Sequence, residues 1–441
     1  MNKIAAAVFL AFFVVLIILY GTTTEYAAPT FNFDRYAYFQ DVHVMIFIGF
    51  GFLMSFLHRG GFTATSHAYL VAVLAVLWAI LVRGFFAKAI GEHGDWSEKI
   101  KINTISLITA DFCAGAVLIS FGAVLGRFSA EQLLVMAVFE VIFFSINEAL
   151  LVERLKVADI GGSLVIHTFG AYFGLTVAMV TQTEEAKQKS RDNNKSSRVS
   201  DTMAMAGTLF LFCFWPSFNG AVAGTNVQER AVVNTFLAIC SSCLVAFLVT
   251  ALTDEHSKFR MVEIQNSTIA GGVAIGAAAD MMVDPWGAML AGGVAGTISV
   301  LGYKYLTPLL KEKIGLEDTC GIHNLHGMPG LLGGLVAVIT TSMIKEDKYV
   351  GTVSAVWIAV NATGSTGTRS AGRQTTYQGL AMLLTFGFAI VGGLVTGFIC
   401  RLLPVLSEFY DDAAEYEVPD AESQALVDEE LKTQKTEPAT A

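Results

Sequence analysis

The chain has 441 residues, of which 54% are apolar and 15% are Asp, Glu, Lys or Arg, and its formal net charge is −10. This composition excludes a disordered chain, a nucleic-acid binder and an ordinary pair of soluble domains. The apolar residues lie in long uninterrupted blocks, which indicates a polytopic membrane protein.

Twelve apolar windows are long enough to cross a bilayer as helices. In chain order they are Ile4–Tyr20, Val42–Leu57, His67–Phe86, Ile105–Leu125, Leu133–Val152, Ile160–Thr181, Thr202–Ala223, Val232–Leu252, Met261–Met282, Trp286–Tyr305, Cys320–Met343 and Leu380–Leu403. The first window could instead be a cleaved signal peptide, because it follows Asn2-Lys3 and precedes small residues. Lysine and arginine cluster in the loop 184–200, which favours a cytoplasmic position for that loop and for both chain ends.

Most of the negative charge lies at the end of the chain. From Ser407 onward there are 11 acidic residues and two lysines, so this tail carries −9 and the preceding residues carry −1. We predict a membrane domain over residues 1–406 and an acidic, disordered cytoplasmic tail over 407–441. The tail also suggests an alternative function, a membrane scaffold or signalling protein that recruits a cytoplasmic partner.

Two segments repeat one pattern, and both open a predicted span. Asp159 precedes His167 by eight residues, Asp318 precedes His326 by eight, and a glycine follows each acid at the third position. These spans are the fifth and tenth of the ten that lie between the first span and the last. Five is an odd number, so the halves 40–182 and 202–344 should have opposite orientations, as in an inverted repeat. The last helix would cover about 376–404.

A second possible match between the halves is the Ala-Asp pair at Asp111 and at Asp280, in the third and eighth of those ten spans.

The symmetry of an inverted repeat would bring His167 and His326 together near the membrane centre. Eight residues of helix span about 12 Å, so each acid would lie near a membrane interface and each histidine nearer the midplane. A neutral imidazole has one donor and one acceptor nitrogen, which suits a dry pore for a small polar solute. Asp159 and Asp318 lie where a carboxylate caps a helix. A rival prediction is a redox protein in which the two histidines are axial haem ligands.

Several other residues have two open readings each. Phe112 and Phe218 either line a pore or contact lipid and core, and Glu140, Glu148 and Glu263 either bind cations at a vestibule or pair with neighbours. Among the sequons, Asn361-Ala-Thr lies in a loop predicted to be outside, so Asn361 is the glycosylation candidate.

The chain resembles the Rh branch of the ammonium transporter family over roughly residues 1–405. The segments that carry the resemblance are Gln40–Met45, Ala110–Cys113, Ile166–Gly174, Trp215–Asn219 and Asp318–Gly327. It implies a homotrimer whose subunits each contain an apolar pore, with a retained first span and an intracellular N-terminus. It further implies that His167 and His326 are paired pore histidines, that Phe112 and Phe218 form an outer gate, and that Asp159 and Asp318 are vestibular and helix-capping acids.

The sequence departs from the family pattern at two places. His323 stands where the family usually has Asn, so His323 is a possible accessory site, as are Glu148 and Asn219. The usual sequon between the first two spans is missing from residues 21–39.

The combined prediction is an all-α membrane channel for ammonium or ammonia. It is not an enzyme, and no cofactor or metal is expected. Its partners would be ammonium, the lipid bilayer, two further copies of the chain and a cytoplasmic partner of the tail, with no nucleic acid among them. We expect a location in the plasma membrane, and methylammonium and carbon dioxide as possible further substrates.

Overall fold

A computed structural model of the protein describes residues 1–28, 33–91, 94–182, 194–349, 351–362, 366–403, 406 and 409–416. The described chain is mostly helical, and its two short strands, β1 (Thr24–Tyr26) and β2 (Ile100–Ile102), pair in parallel. The helices are α1 Lys3–Thr23, α2 Phe33–Val44, α3 Phe50–Leu53, α4 Gly61–Ile90, α5 Thr104–Val124, α6 Ala130–Glu148, α7 Phe169–Thr181, α8 Arg198–Gly220, α9 Thr225–Thr253, α10 Met261–Gly276, α11 Asp284–Leu301, α12 Thr307–Ile314, α13 Met328–Ser342, α14 Glu346–Tyr349, α15 Val353–Val356, α16 Ala371–Cys400 and α17 Asp412–Glu415.

Several helices are extended by turns of different pitch. A π-helical turn, Met45–Gly49, joins α2 to α3, and the 3₁₀ turn Met54–Phe56 follows α3. Further π-helical segments follow α6 (Ala149–Arg154), precede α7 (Ser163–Thr168), join α11 to α12 (Gly302–Leu306) and precede α13 (His323–Gly327). The two predicted histidines therefore lie in π-helical turns.

Ten helical segments of the described chain are long and apolar enough to cross a membrane. The predicted windows Thr202–Ala223 and Met261–Met282 correspond to α8 and α10, which are not among the ten. Helix α10 has 16 residues, and polar residues near the end of α8 lower its mean hydropathy. The prediction of an all-α polytopic membrane fold is confirmed, whereas the number of spans stays a prediction.

The first and last described parts of the chain lie on one face of the bundle, which we call the terminal face. The Asn2 backbone N–H donates to Glu131 at 2.7 Å, at the start of α6. The Tyr410 backbone N–H donates to the carbonyl of Gly126 at 3.1 Å, in the turn before α6. The opposite face, which we call the distal face, carries β1, β2 and the segment before the π-helical turn Ser163–Thr168.

The two halves of the bundle are related by matching contacts on opposite faces. The Gly161 N–H donates to the carbonyl of Gly276 at 2.9 Å, at the distal end of α10. The Cys320 N–H donates to the carbonyl of Gly122 at 3.1 Å, near the terminal end of α5. Each histidine-bearing segment thus contacts the end of the third helix of the other half, as an inverted repeat requires.

The Ala-Asp match between the halves is wrong. Asp111 lies inside α5, but α10 ends at Gly276 and Asp280 follows it in a turn. The two acids are therefore not in equivalent positions, because an Ala-Asp pair is too short a pattern to define a register.

Small residues let the helices of the second half approach closely. A Cβ at Gly292 would lie 2.0 Å from the carbonyl oxygen of Ala238, and a Cβ at Gly271 would lie 2.5 Å from the same atom. Helix α9 is therefore in backbone contact with α10 and α11. Gly296, four residues after Gly292, likewise faces the Ser242 carbonyl of α9, so these glycines serve packing within the chain.

The first part of the predicted tail packs on the terminal face, which differs from a tail detached at residue 407. Phe409 and Tyr410 are buried, and the Tyr410 hydroxyl donates to the carbonyl of Phe128 at 2.8 Å. Asp412 accepts from the backbone N–H groups of Phe62 and Thr63 at 2.9 and 2.8 Å, and so caps α4. The acidic residues from 417 onward lie outside the described residues.

Candidate conduction pore

The two histidine-bearing segments fold by the same local rule. Gly162 and Gly321 have φ angles of 68° and 72°, the left-handed region that a side chain disfavours. Each glycine turns the chain so that the preceding acid faces the first free N–H groups of the helix. Asp159 accepts from Leu164 and Val165 N–H at 3.0 and 2.8 Å.

Asp318 caps the second segment with a different use of its oxygens. It accepts from Ile322 N–H on Oδ1 and from His323 N–H on Oδ2, both at 2.9 Å. In the first segment both N–H groups use Oδ2 of Asp159, and Oδ1 is buried without a hydrogen-bond partner among the described residues. Both predicted acids are therefore helix caps by geometry.

Burial in a low-dielectric surrounding perturbs both of these carboxyl groups. It raises the pKa of Asp159 to about 7, although the backbone N–H donors act in the opposite direction. It raises the pKa of Asp318 to about 6, opposed by its backbone donors and, more weakly, by the Arg127 guanidinium. Each group therefore titrates much closer to neutral pH than a solvated aspartate does.

His167 and His326 meet in the centre of the bundle. Their Nδ1 atoms are 3.1 Å apart and their ring planes differ by 7°, so the rings share a hydrogen bond. The side chains are 1% and 2% exposed. The nitrogens face each other directly, whereas axial haem ligation would require an iron between them, so this geometry does not fit the redox alternative.

Two large aromatic rings enclose the histidine pair. Trp215 lies 5.7 Å from the His167 ring at an interplanar angle of 23°, and Phe50 lies 6.1 Å from the His326 ring at 18°. Sequence reasoning assigned no role to either residue. Trp215 belongs to the segment Trp215–Asn219, which contributes to the family resemblance. Nothing in the sequence distinguishes Phe50 from the other apolar residues of its span.

Phe112 and Phe218 lie beside the pair on its distal side. Their ring centroids are 4.6 Å apart, and Phe218 is 6.0 Å from His167. Both side chains are buried within the bundle. The contact between the rings is close enough to obstruct a straight path to the histidines.

A cavity of about 580 Å³ lies on the distal side of Phe112. Asp159, Asp280 and the Arg83–Glu148 pair contribute its polar lining. The guanidinium donates to Glu148 at 2.6 and 3.0 Å, so Glu148 is paired and is not a free acid at the vestibule. We call this cavity the distal vestibule.

A much smaller cavity, of about 20 Å³, lies on the other side of the histidines. His326 and Phe50 line its inner end, and Gln265 and Asn266 add polar groups. From the distal face to the terminal face, the order is therefore vestibule, Phe112 and Phe218, the histidine pair, and a narrow polar opening.

The remaining candidate residues have structural partners. His323 packs against Tyr172 with ring centroids 5.8 Å apart and does not line either of these cavities. The Asn219 amide donates to Thr235 and to the Gly272 carbonyl at 3.0 and 3.1 Å, which links α8, α9 and α10.

The other two acids with open readings are also paired. Glu140 accepts from the Ser120 hydroxyl at 2.5 Å, and Arg260 donates to Glu263 at 3.2 Å. Asn361 lies in the segment before α16, where nothing in the structure bears on its glycosylation.

One pair, formed by a buried acid and an exposed histidine, was missed from the sequence. Asp111, which is 1% exposed, accepts a hydrogen bond from the His43 Nδ1–H group at 3.0 Å, which links α2 to α5. Asp111 immediately precedes Phe112, so this pair holds the backbone beside the ring. No spacing rule connects residues 43 and 111, since the contact depends on the packing of two helices.

Known proteins resemble this chain over nearly its whole length. The family model described as the Ammonium Transporter Family matches residues 3–419. The protein named ammonium transporter Rh type B from Danio rerio is 44% identical over 444 residues, which cover 96% of this chain and 94% of that protein. The Rh type B protein of Xenopus tropicalis is 48% identical over 393 residues, covering 88% and 83%.

Solved structures resemble the fold as well. Rh50 from Nitrosomonas europaea, described with the mechanism of conduction by Rhesus channels, gives a TM-score of 0.73 at 32% identity, covering 91% of this chain and 98% of that one. Mep2 from Saccharomyces cerevisiae gives a TM-score of 0.62 at 18% identity, covering 81% and 82%, which shows a shared fold. The chain therefore belongs to the ammonium transporter family, in its Rh branch, as a multi-pass membrane protein that is not an enzyme.

Proposed function

We propose that the chain is an ammonium transporter that conducts neutral ammonia along the axis from the distal vestibule past His167 and His326. Relatives in the family are named as ammonium transporters, which supports the substrate. The observation that carries the pathway is the pair of buried imidazoles, 3.1 Å apart, between two cavities.

The energetics favour loss of a proton before passage. Moving an ammonium-sized ion into a low-dielectric path has an idealised cost of order 20 kcal/mol. Removing a proton from a lysine-like ammonium at neutral pH costs only about 5 kcal/mol, because each pKa unit corresponds to about 1.4 kcal/mol. Potassium has no proton to lose and meets the full barrier, so selectivity follows from the barrier and not from tight binding.

The neutral histidine pair suits this step. Whichever ring donates the shared proton from Nδ1 keeps a lone pair on its Nε2, and the other ring then carries its proton on Nε2. The pair therefore offers one acceptor and one donor to a passing ammonia molecule. His167 Nε2 is buried and has no hydrogen-bond partner among the described residues, so it is available for such a contact.

Recruitment and orientation complete the proposal. Ammonium enters the distal vestibule and gives its proton to water there, next to Phe112 and Phe218. Neutral ammonia then passes the histidines and takes a proton from water beyond His326. The distal face is external, and both chain ends are cytoplasmic in the plasma membrane. Three copies assemble, each with its own pore, and methylammonium and carbon dioxide are candidates for further substrates.

The direct test is ammonia flux into proteoliposomes that contain a pH-sensitive dye. His167→Ala and His326→Ala should change the rate or the selectivity against potassium. His323→Ala is the matched control, because His323 is the same residue type in the same segment and lies against Tyr172. Flux and selectivity that stay at the wild-type values in both pore variants would disprove the imidazole role.

The scaffold alternative makes a different prediction for the tail. Deleting residues 417–441 removes acidic residues but keeps the docked segment Phe409–Tyr416. A channel should keep conducting after this deletion, whereas a scaffold should lose its partner. The trimer is tested separately by the mass of the purified protein in mild detergent.

A further inference from the structure

The small cavity on the terminal side of His326, which we call the terminal cavity, has the size of one small molecule. Its volume is about 20 Å³, and one water molecule needs roughly 10–15 Å³ of such space. Ammonia is as small as water, so the cavity has room for a single ammonia molecule. Methylamine has a carbon atom as well as its nitrogen and exceeds that space.

The walls of the terminal cavity are close-packed and are held by backbone contacts. The Cys320 N–H donates to the Gly122 carbonyl at 3.1 Å, and a Cβ at Gly122 would lie 2.8 Å from the side chain of Ile322. All three residues line the cavity. Phe112, by contrast, borders the distal vestibule of about 580 Å³, so its ring has open space beside it. The terminal cavity therefore has less room to widen than the contact between Phe112 and Phe218.

The lining of the terminal cavity favours a neutral molecule. Among the described residues that line it, none is Asp, Glu, Lys or Arg. Its polar groups are the amides of Gln265 and Asn266, the Cys320 thiol and the His326 imidazole. An ammonium ion would lose its hydration here without gaining a counter-charge, which is costly in a low-dielectric surrounding. The proton therefore returns to ammonia only on the far side of this cavity.

The two amides in the lining have free acceptor oxygens. The Gln265 amide nitrogen donates to the Asp201 carbonyl at 2.7 Å. The Asn266 amide nitrogen donates to the Val262 carbonyl at 2.8 Å. A carbonyl only accepts, so these contacts identify the nitrogen end of each amide. The two amide oxygens have no donor among the described residues, so each can accept an N–H of a molecule in the cavity.

We propose that the terminal cavity binds one ammonia molecule and selects neutral amines by size. Gln265 and Asn266 accept the N–H groups of ammonia, which replaces hydrogen bonds to water. Met54, which is buried and lines the cavity, is part of the wall that opposes a methyl group. This inference rests on the proposed conduction of ammonia and adds the residues that discriminate between ammonia and methylamine. Methylamine therefore passes more slowly than ammonia.

The size filter is tested by comparing methylamine and ammonia flux in the same proteoliposomes, after subtraction of the flux through protein-free liposomes. Met54→Ala removes the thioether from the wall. It should raise the ratio of methylamine to ammonia flux about fivefold, the lower end of the penalty for forcing extra atoms into a packed site. Met136→Ala is the control, because Met136 is buried in α6 and is not among the residues that line the two pore cavities.

A milder variant covers the case in which Met54→Ala fails to fold. Ile322→Val removes one methyl group from the same wall and should raise the ratio in the same direction by a smaller factor. Thermal unfolding of each purified variant shows whether it is folded before its flux is compared.

The acceptor role is tested separately with Asn266→Leu, which keeps a side chain of similar size. Among the described residues, the Asn266 amide bonds only within its own helix, so the Tm should stay near that of the wild type. The ammonia flux should fall about fivefold, as expected for the loss of one neutral hydrogen bond. Asn147→Leu is the control, because Asn147 is buried in α6 and is not among the lining residues of either pore cavity.

Each part of the inference has its own refuting result. A methylamine ratio that is unchanged in the folded wall variants would overturn the size filter. An ammonia flux in Asn266→Leu that equals the flux in Asn147→Leu would overturn the acceptor role. Either result can occur while His167→Ala and His326→Ala still alter the flux, so a failure here is distinguishable from a failure of the proposed function.

Discussion

The two helix-capping acids make unequal use of their oxygens, and this asymmetry yields a sharp prediction. In Asp159 a single oxygen, Oδ2, accepts from both backbone N–H groups, whereas Asp318 uses one oxygen for each. Substitution by Asn keeps one acceptor oxygen and replaces the other with an amide that only donates. Asp159→Asn can therefore retain both cap contacts, and Asp318→Asn must lose one.

The expected difference follows from the number of acceptors lost. A buried N–H left without an acceptor costs about 1–3 kcal/mol. Asp318→Asn should thus destabilise the protein by about 1–3 kcal/mol more than Asp159→Asn does. Replacement by Ala removes both acceptors at either site, so Asp159→Ala and Asp318→Ala should resemble each other.

Thermal unfolding of the detergent-solubilised protein, followed by near-ultraviolet circular dichroism, measures the order. The wild type and Asp159→Asn should have similar Tm values, which are the highest. The Tm of Asp318→Asn should be lower, and the Tm values of the two Ala variants should be the lowest. The reasoning is refuted if the two Asn variants have the same Tm, or if Asp159→Asn is as unstable as Asp159→Ala. Either result would mean that the cap contacts do not control the stability of these segments.

Four other predictions concern stability and flux. Trp215→Phe should keep the flux, because the indole N–H has no acceptor among the described residues and a flat ring remains, whereas Trp215→Leu should lower it in the proteoliposome assay. Glu148→Gln should lower the free energy of unfolding by about 1–3 kcal/mol, because Glu148 is paired with Arg83, and should leave the KM for ammonium unchanged. A raised KM with normal stability would instead favour cation binding by Glu148. Gly162→Ala should cost about 1–2 kcal/mol in the same unfolding assay, because its φ is 68°; an unchanged Tm would count against backbone strain there. Asp412→Ala should cost about 0.5–2 kcal/mol by removing the cap of α4, and an unchanged Tm would show that this cap does not stabilise the protein.

The sequence was sufficient to predict the membrane fold and the relation between its halves. Long apolar blocks identify helices without any knowledge of their partners, because the bilayer requires each to satisfy its own backbone. The repeated acid, glycine and histidine carry local information as well, since Gly162 and Gly321 set the turn that lets each acid cap its helix. A pattern of this kind predicts its own geometry, and the approach of the two histidines follows from the symmetry.

Contacts between distant helices that lie outside the repeated pattern were beyond sequence reasoning. Nothing in the spacing of Phe50 or His43 indicates that the first stacks on His326 or that the second contacts Asp111. The false match at Asp280 has the same origin, because a two-residue pattern does not determine where α10 ends. The acidic composition of the tail likewise did not indicate that Phe409 and Tyr410 are buried. Two aromatic residues hardly change the composition of a segment in which acidic residues predominate.

The position of Asp159 also links helix capping to ion recruitment. The N-terminus of a helix carries a partial positive charge, and the segment that begins at Ser163 presents this end toward the distal vestibule. Without a carboxylate there, an entering ammonium ion would meet a repulsive potential. The proposed recruitment therefore depends on the charge of Asp159, and the cap contacts depend only on its oxygen.

The Asn substitution at this site separates the two effects, and pH provides an internal control. Burial raises the pKa of Asp159 to about 7, so the carboxyl group is mostly neutral at pH 6 and mostly charged at pH 8. The ratio of KM for ammonium between Asp159→Asn and the wild type should therefore be near one at pH 6 and rise at pH 8. Comparing variant and wild type at the same pH cancels the change in the fraction of ammonium. A ratio that is independent of pH, together with an unchanged Tm, would show that Asp159 acts on this helix only as a cap.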